Sequence, residues 1–132
     1  MNKLSNKGQS LAMFVIFIPF IILFCAFIID YGIAKYNYNK LNNISLMVIR
    51  YGIKNIDNDP YNDMVDLLYK NDEDINDYKI NIDTSNKKIN LSVTKASDSF
   101  FGRIINKDYF KETIKYTGYY KDERIVIEEG IK

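Results

Sequence analysis

An uncharged, strongly apolar run from Gly8 to Ile29 constrains the fold of this chain more than any other feature. A lysine precedes the run directly and an aspartate follows it. As an α-helix rising 1.5 Å per residue, the run reaches about 30 Å, which is the thickness of the hydrocarbon core of a bilayer. The sequence therefore predicts a transmembrane helix over residues 9–29, preceded by a short polar N-terminus at residues 1–8.

The length of this run favours a retained membrane helix over a cleaved secretory signal. A signal sequence has a shorter apolar core, roughly 7–15 residues, and ends in small residues at its cleavage site. Here the small residues Gly32 and Ala34 come only after Asp30 and Tyr31, and Cys25 lacks the small preceding residue that lipoprotein processing requires. We expect the helix to stay in the membrane. Release of a secreted domain by cleavage near Ala34 is the alternative.

The orientation of the helix is indicated by the basic residues on its two sides. Lys3 and Lys7 precede the apolar run, which favours a cytoplasmic N-terminus. Lys35 and Lys40 lie close to the other end of the run, where basic residues also count, and they reduce this bias. We expect a single-pass protein of the cell membrane with an extracytoplasmic C-terminal domain.

A helical period continues beyond the apolar run. Four apolar residues follow one another at spacings of three, four and three, and so share one helix face. They are Leu41, Ile44, Val48 and Tyr51. Gly52 and the polar segment 55–60 are typical of a helix end. The sequence predicts one helix from about Ser10 to about Tyr51, with an amphipathic continuation over residues 30–54.

Residues 55–132 predict a small α+β domain. Asp59 and Pro60 are typical of an N-cap followed by the first helical residue, and they predict a short helix over 61–70. Two segments of alternating apolar and polar residues, 78–82 and 89–93, flank a short polar turn and predict a β-hairpin.

Two further strands are predicted at 112–120 and 124–128. Between them and the hairpin stands an apolar cluster that predicts a helical turn packed over the sheet; it comprises Phe100, Phe101, Ile104 and Ile105. The predicted fold class is α+β: a long N-terminal membrane-spanning helix with an amphipathic continuation, then a small antiparallel β-sheet domain with a short helix.

The composition excludes several kinds of active site. The chain has no histidine and one cysteine, Cys25, which lies inside the apolar run. Catalysis by a histidine base or a Cys–His pair, a Cys/His zinc site and an intrachain disulfide are therefore excluded. We expect a protein that is not an enzyme, with no cofactor and no small-molecule substrate evident.

The charge balance argues against nucleic-acid binding. Lys3 and Lys7 account for two of the 18 basic residues, so the remainder carries 16 basic and 17 acidic residues. A domain that is close to neutral lacks the basic excess that phosphate contacts require.

The acidic residues are weak candidates for metal binding. Residues 72–83 place Asp72, Asp74 and Asn76 at alternate positions of a calcium loop, but Asp77 stands where the loop needs glycine. We interpret this segment as an acidic turn. Three further aspartates are explained by turn and cap formation. They are Asp57, Asp59 and Asp63.

The charges of the C-terminal domain are also segregated along the chain. Residues 57–83 hold nine acidic and two basic residues, whereas residues 84–121 hold eight basic and three acidic residues. Solvated loops and strand faces explain this pattern. Complementary patches on neighbouring subunits are the alternative interpretation.

The segment 7–52, KGQSLAMFVIFIPFIILFCAFIIDYGIAKYNYNKLNNISLMVIRYG, resembles the N-terminal region of TadE/TadG-type proteins. These are minor pilin-like components of tight-adherence (Tad/Flp, type IVb) pilus assembly systems. The shared features are a glycine before the apolar run, a proline in its middle, and an acidic-aromatic-glycine exit. Segment 89–120 is similar to the TadG-like pattern of a strand, a phenylalanine cluster and a closing strand.

This resemblance implies a non-enzymatic, single-pass component of a pilus assembly or secretion complex. Its partners would be the membrane and other pilin-like subunits, contacted through the N-terminal helix. The helix-packing residues that the resemblance assigns are Phe14, Pro19, Asp30, Tyr31 and Gly32. The segment 12–20 would then set the choice of partner helix.

The resemblance also identifies a candidate processing site. Cleavage by a prepilin-type peptidase would occur between Gly8 and Gln9. Pilin-like TadE proteins carry a glutamate at the fifth residue after the cleaved glycine, and this chain has Met13 there. The departure implies an uncleaved, TadG-like anchor. A membrane-tethered binding or sensor domain, unrelated to pili, is the alternative function.

Overall fold

The computed structural model describes residues 3–104 and 109–132 and confirms the α+β class. A 52-residue helix, α1, comes first, and a single 3₁₀ turn separates it from the second helix, α2. Two strands, a short third helix and two more strands follow. The elements are α1 (Lys3–Lys54), α2 (Tyr61–Asn71), β1 (Asp77–Asp83), β2 (Lys88–Asp98), α3 (Phe100–Ile104), β3 (Tyr109–Lys121) and β4 (Arg124–Glu129).

The predicted long helix forms, and it extends beyond both predicted ends. It includes Pro19 without interruption and continues through Gly52 to Lys54. Gly52 is therefore a packing position and not the helix end. A Cβ there would clash with Met64 Sδ and lie 2.9 Å from Ile89 Cδ1, so glycine lets α1 approach its neighbours closely. The helix ends where Asn55 donates its backbone and side-chain N–H groups to the carbonyl of Tyr51.

The predicted cap of α2 is wrong. Pro60, and not Asp59, occupies the N-cap position, and the helix begins at Tyr61. Asp59 instead adopts a left-handed conformation with φ 47°, which aspartate tolerates better than most residues. Asp59 is the C-cap of the preceding 3₁₀ turn, so it lies one residue before the N-cap of α2. Met64 and Leu68 form the buried face of α2 as expected.

The four strands form one antiparallel sheet in the order β1-β2-β3-β4. The predicted hairpin is confirmed: Ile80 pairs with Leu91 and Ile82 with Ile89. β3 and β4 are longer than predicted and are joined by Asp122 and Glu123. Both turn residues have positive φ, which is typical of the type I′ turn that matches strand twist.

The core lies between the sheet and the C-terminal half of α1. The predicted face of Leu41, Ile44 and Val48 is buried there, whereas Tyr51 is half-buried. The other members of this core come from α1, α2, the sheet and the segments that connect them; they are Ile49, Ile53, Ile56, Met64, Leu68, Ile75, Ile89, Leu91, Val93 and Ile114. The amphipathic continuation thus supplies the central element of the folded domain.

Close approach between α1 and the sheet depends on Gly118 in β3. A Cβ at this position would lie 2.9 Å from Ile53 Cγ1 and 3.0 Å from Ile49 Cγ1. Polar contacts hold the same face: Asn37 donates to Ser97 at 2.8 Å, and the hydroxyl of Tyr116 donates to Asn42. These contacts set the position of α1 along β2 and β3.

The apolar cluster after β2 forms a helix, as predicted, but this helix packs against α1. Phe101 contacts the ring of Phe27 edge-on, and the start of α3 is bonded to Asp30. Ile105, the last member of the predicted cluster, lies outside the described residues. The sequence pattern alone did not indicate that α1 extends alongside this segment.

The segregated charges pair partly within the chain. Asp72 is buried and accepts hydrogen bonds from Lys95 at 2.6 Å and from the backbone N–H of Asp74 at 3.1 Å, with Lys40 at 3.3 Å. Lys87 pairs with Asp57 at 3.5 Å. The acidic segment therefore pairs with lysines from α1, β2 and the turn before β2. Asp72, the first position of the calcium-loop pattern, is part of an ion pair.

We expect Asp72→Asn to destabilise the fold by about 3 kcal/mol at pH 7, because it removes the buried counter-charge of the Lys95 ammonium and leaves only the solvent-exposed Asp74 near it. The measurement is chemical unfolding of the full chain in detergent micelles. Asp74→Asn is the matched control, because Asp74 is 84% exposed and 3.8 Å from the same ammonium. Equal losses in the two variants would contradict this role of Asp72.

The stabilisation of the fold by Asp72 depends on pH with a defined sign. Burial alone raises the pKa of Asp72, but hydrogen bonds from Lys95, the Asp74 backbone and Lys40 lower it below its ordinary value of 3.8. A lowered folded-state pKa means that this stabilisation is complete above pH 3.8 and is lost as the pH falls through the folded-state value. Asp72→Asn should remove that acid-induced loss.

Candidate functional site

The described part of the chain leaves most of the N-terminal half of α1 uncovered. Between Leu11 and Ile29, its large apolar side chains are 38–66% exposed. Among the described residues 6–29, Ala26 alone is buried, beside α3. The segment is long and apolar enough to cross a membrane. A surface this apolar is unfavourable in water, so it requires lipid or other helices around it.

The candidate processing residues lie on this exposed helix. Gly8 and Gln9 are in its first turns, and a Cβ at Gly8 would meet nothing within 4 Å. Met13 is 54% exposed. All three are exposed on the helix surface, and their role in processing stays a prediction.

The predicted packing residues separate into two groups. Phe14 is 61% exposed, Pro19 is exposed within the unbroken helix, and Gly32 has open space where a Cβ would be. Tyr31 is also exposed. These four are available to molecules outside the chain. Asp30, in contrast, is buried and contacts the start of α3. We call this contact between α1 at Asp30 and the first turn of α3 the junction.

Asp30 binds the first turn of α3 with both carboxylate oxygens. Oδ1 accepts from the backbone N–H of Phe100 at 2.7 Å. Oδ2 accepts from the backbone N–H of Phe101 at 2.5 Å and from Ser99 Oγ at 2.8 Å. Ser99 Oγ in turn accepts from the N–H of Gly102 at 2.6 Å. The carboxylate thus satisfies helix N–H groups that otherwise lack partners.

The sequence indicated Asp30 but not these partners. A serine followed by an apolar pair is typical of a helix start, and this was the one available signal for Ser99. The pairing joins residues 69 to 71 positions apart. Only the sheet topology, which returns β2 to the exit of the apolar run, brings them together.

A pocket of about 390 Å³ opens beside this junction. Its lining is mainly apolar and comes from α1, α3 and β3; it includes Phe27, Tyr31, Ala34, Phe101, Phe110 and Glu112. Glu112 Oε2 is buried there without a hydrogen-bond partner among the described residues. Burial raises the pKa of the Glu112 carboxyl. Asp30 and Lys111 also line the pocket, so three charged residues lie beside its mainly apolar lining.

The described residues contain no group of three histidine, cysteine, aspartate or glutamate side chains placed to hold a metal ion. The residues that match the calcium-loop pattern, which we interpreted as an acidic turn, are divided between an ion pair and a strand. Asp72 is bonded to Lys95, and Asp77 begins β1. Asp83 bonds Asn86 in the hairpin turn, and these hydrogen bonds lower its pKa.

Comparisons of this chain with protein-family models, with curated proteins and with solved structures gave no match. The arrangement itself is an exposed apolar helix joined by a buried carboxylate to a folded domain. It leaves the apolar surface of the first half of α1 exposed, and the bonds of Asp30 to Ser99, Phe100 and Phe101 fix α3 on the helix.

We expect Asp30→Ala to open α3 locally without unfolding the sheet. Each hydrogen bond to a charged group contributes about 1.5–3 kcal/mol. The amides of Phe100 and Phe101 should therefore exchange with solvent deuterium roughly tenfold faster or more. Amide exchange of the full chain in micelles measures this. Asp98→Ala is the control, because Asp98 is the exposed aspartate next to the same turn. Unchanged exchange at α3 in Asp30→Ala would contradict the role of Asp30.

Proposed function

We propose that this chain is a non-enzymatic, single-pass membrane component of a Tad-type pilus assembly or secretion system, minor pilin-like and similar to TadE/TadG. In this proposal residues 1–8 are cytoplasmic, residues 9–29 span the membrane, and the sheet domain is extracytoplasmic. The N-terminal helix contacts other pilin-like subunits, and Met1 remains the first residue.

One observation carries this proposal: α1 is exposed and apolar in its first half and is the core element of a folded domain in its second half. A tether needs neither continuity nor burial in the domain. Because the same helix serves both parts, a displacement of the apolar half is transmitted directly to the sheet. That property suits a subunit whose domain must be positioned by helix packing.

The exposed apolar surface also has the features that select partner helices in lipid. Helix association there depends on shape and dispersion, since lipid tails are as apolar as the side chains they replace. Phe14, Phe17 and Phe20 project bulky rings around Pro19, whose missing N–H frees a carbonyl for neighbouring contacts.

A membrane-tethered binding or sensor domain is the second candidate function. The junction pocket supports it, because aromatic side chains line it and Glu112 Oε2 is buried at its edge without a hydrogen-bond partner in the described part of the chain. In that case the apolar helix would be an anchor, and its exact sequence would not matter.

Exchange of the apolar segment distinguishes the two functions. In a host that assembles Tad-type pili with this chain, residues 11–24 are replaced by leucine, which preserves length and hydropathy and leaves the junction intact. We expect loss of surface pili, counted by electron microscopy, because the shape that partner helices recognise is removed. A variant with Ser85→Ala, in the exposed hairpin turn, is the control and should assemble normally.

Membrane fractionation and the mature N-terminus are measured on the same strains. We expect a chain that begins at Met1 and resists extraction by alkaline carbonate. Normal piliation by the leucine variant would contradict an assembly role for the helix and favour the anchor. A soluble product that begins near Lys35 would contradict both functions.

A further inference from the structure

Phe100 begins α3 with 62% of its surface exposed, at the point where α1 leaves its apolar segment. Its backbone N–H is bonded to Asp30 Oδ1, so the residue is held in place relative to the long helix. The described part of the chain leaves most of this residue accessible. The junction therefore presents a fixed phenylalanine to its surroundings.

The level of α3 along α1 follows from its two contacts. Asp30 is the first charged residue after the apolar run, so it marks the bilayer boundary when that run crosses the hydrocarbon core. Phe101 contacts the ring of Phe27 with 6.4 Å between centroids, and Phe27 lies one helical turn inside the run. α3 is thus at the depth of the lipid headgroups.

Aromatic side chains line the junction pocket beside α3, among them Phe101, the residue that follows Phe100. Phe27, Tyr31 and Phe110 are 56%, 65% and 40% exposed, and all three line the junction pocket. Aromatic side chains are enriched at the membrane interface, where an apolar ring meets a polar layer. Since this surface adjoins the exposed apolar face of α1, lipid is the occupant that its position provides.

Arg103 adds a positive charge, which is complementary to the phosphate groups of lipid headgroups. It lies exposed in the last turn of α3. The guanidinium group pairs with phosphate through two parallel hydrogen bonds and is weakly hydrated, which suits the headgroup layer. Asp30, the carboxylate that contacts α3, is buried and bonded to the α3 backbone and Ser99.

We propose that Phe100 and Arg103 form a second membrane contact, in which the ring enters the interfacial layer of a phospholipid bilayer and the guanidinium binds lipid phosphate. The inference rests on the membrane insertion in the proposed function, and it does not depend on any pilus partner. With α1 and α3 both in contact with lipid, the sheet domain has a fixed tilt and rotation at the membrane surface.

Tryptophan fluorescence tests this contact without background, because the chain contains no tryptophan. The full chain carrying Phe100→Trp is reconstituted in vesicles of phosphatidylcholine and phosphatidylglycerol. Brominated phosphatidylcholines, with bromine near the headgroup or deep in the acyl chains, quench the indole according to its depth. We expect blue-shifted emission that loses most of its intensity with the shallow bromines.

Two single-tryptophan variants provide the references. Phe17→Trp lies in the middle of the apolar run and should be quenched by the deep bromines. Ser85→Trp lies in the exposed turn between β1 and β2, at the end of β2 opposite α3, and should show water-like emission without quenching. Far-UV circular dichroism confirms that each variant is folded.

The outcomes separate this inference from the proposed function. If Phe17→Trp is quenched and Phe100→Trp resembles Ser85→Trp, membrane insertion stands and the lipid contact is wrong. Blue-shifted but unquenched emission from Phe100→Trp means that protein covers the ring, which also overturns the lipid contact. If Phe17→Trp is unquenched, the membrane insertion fails, and the inference fails with it.

The role of Arg103 is tested in the Phe100→Trp background. Arg103→Glu should reduce quenching by the shallow bromines, because a carboxylate is repelled by lipid phosphate. Arg103→Lys should retain most of it, since the charge remains. Identical quenching in Arg103→Glu and the parent would overturn the phosphate contact.

Discussion

The structure depends on one constraint: a single helix has to satisfy two environments. The first half of α1 leaves its apolar side chains exposed, and the second half lies on the sheet as the centre of the core. Asp30 stands between the halves and binds the start of α3. Because the helix does not break there, the orientation of the apolar segment determines the orientation of the sheet domain.

Periodicity in the sequence predicted the elements well. The face of Leu41, Ile44 and Val48 and the pairing of Ile80 with Leu91 follow from local spacing, since side-chain direction repeats every 3.6 residues in a helix and every two in a strand. The fold class was predictable for the same reason. Asp30 was singled out only through the family resemblance of the apolar run's exit, as a helix-packing residue, and its partners in α3 were not predicted.

The errors arose where distant segments meet. Gly52 has the appearance of a helix end, but it allows Met64 and Ile89 to pack against α1. Asp59 was expected to cap α2, but the backbone turns there. The bond between Asp30 and Ser99 and the ion pair of Asp72 with Lys95 require the sheet topology, which local patterns do not specify. The sequence therefore predicted one part of the candidate site, the apolar run, but not the contacts between α1 and α3 at the junction.

The continuity of α1 through the junction is tested most directly by a distance in a bilayer. Spin labels on the native Cys25 and on Asn43→Cys, both exposed, are separated by 18 residues, or about 27 Å along an unbroken helix. Double electron–electron resonance on the reconstituted full chain should give one narrow distribution near this distance. A broad or markedly shorter distribution would show a hinge between membrane segment and domain, and would contradict a single helix that positions the sheet.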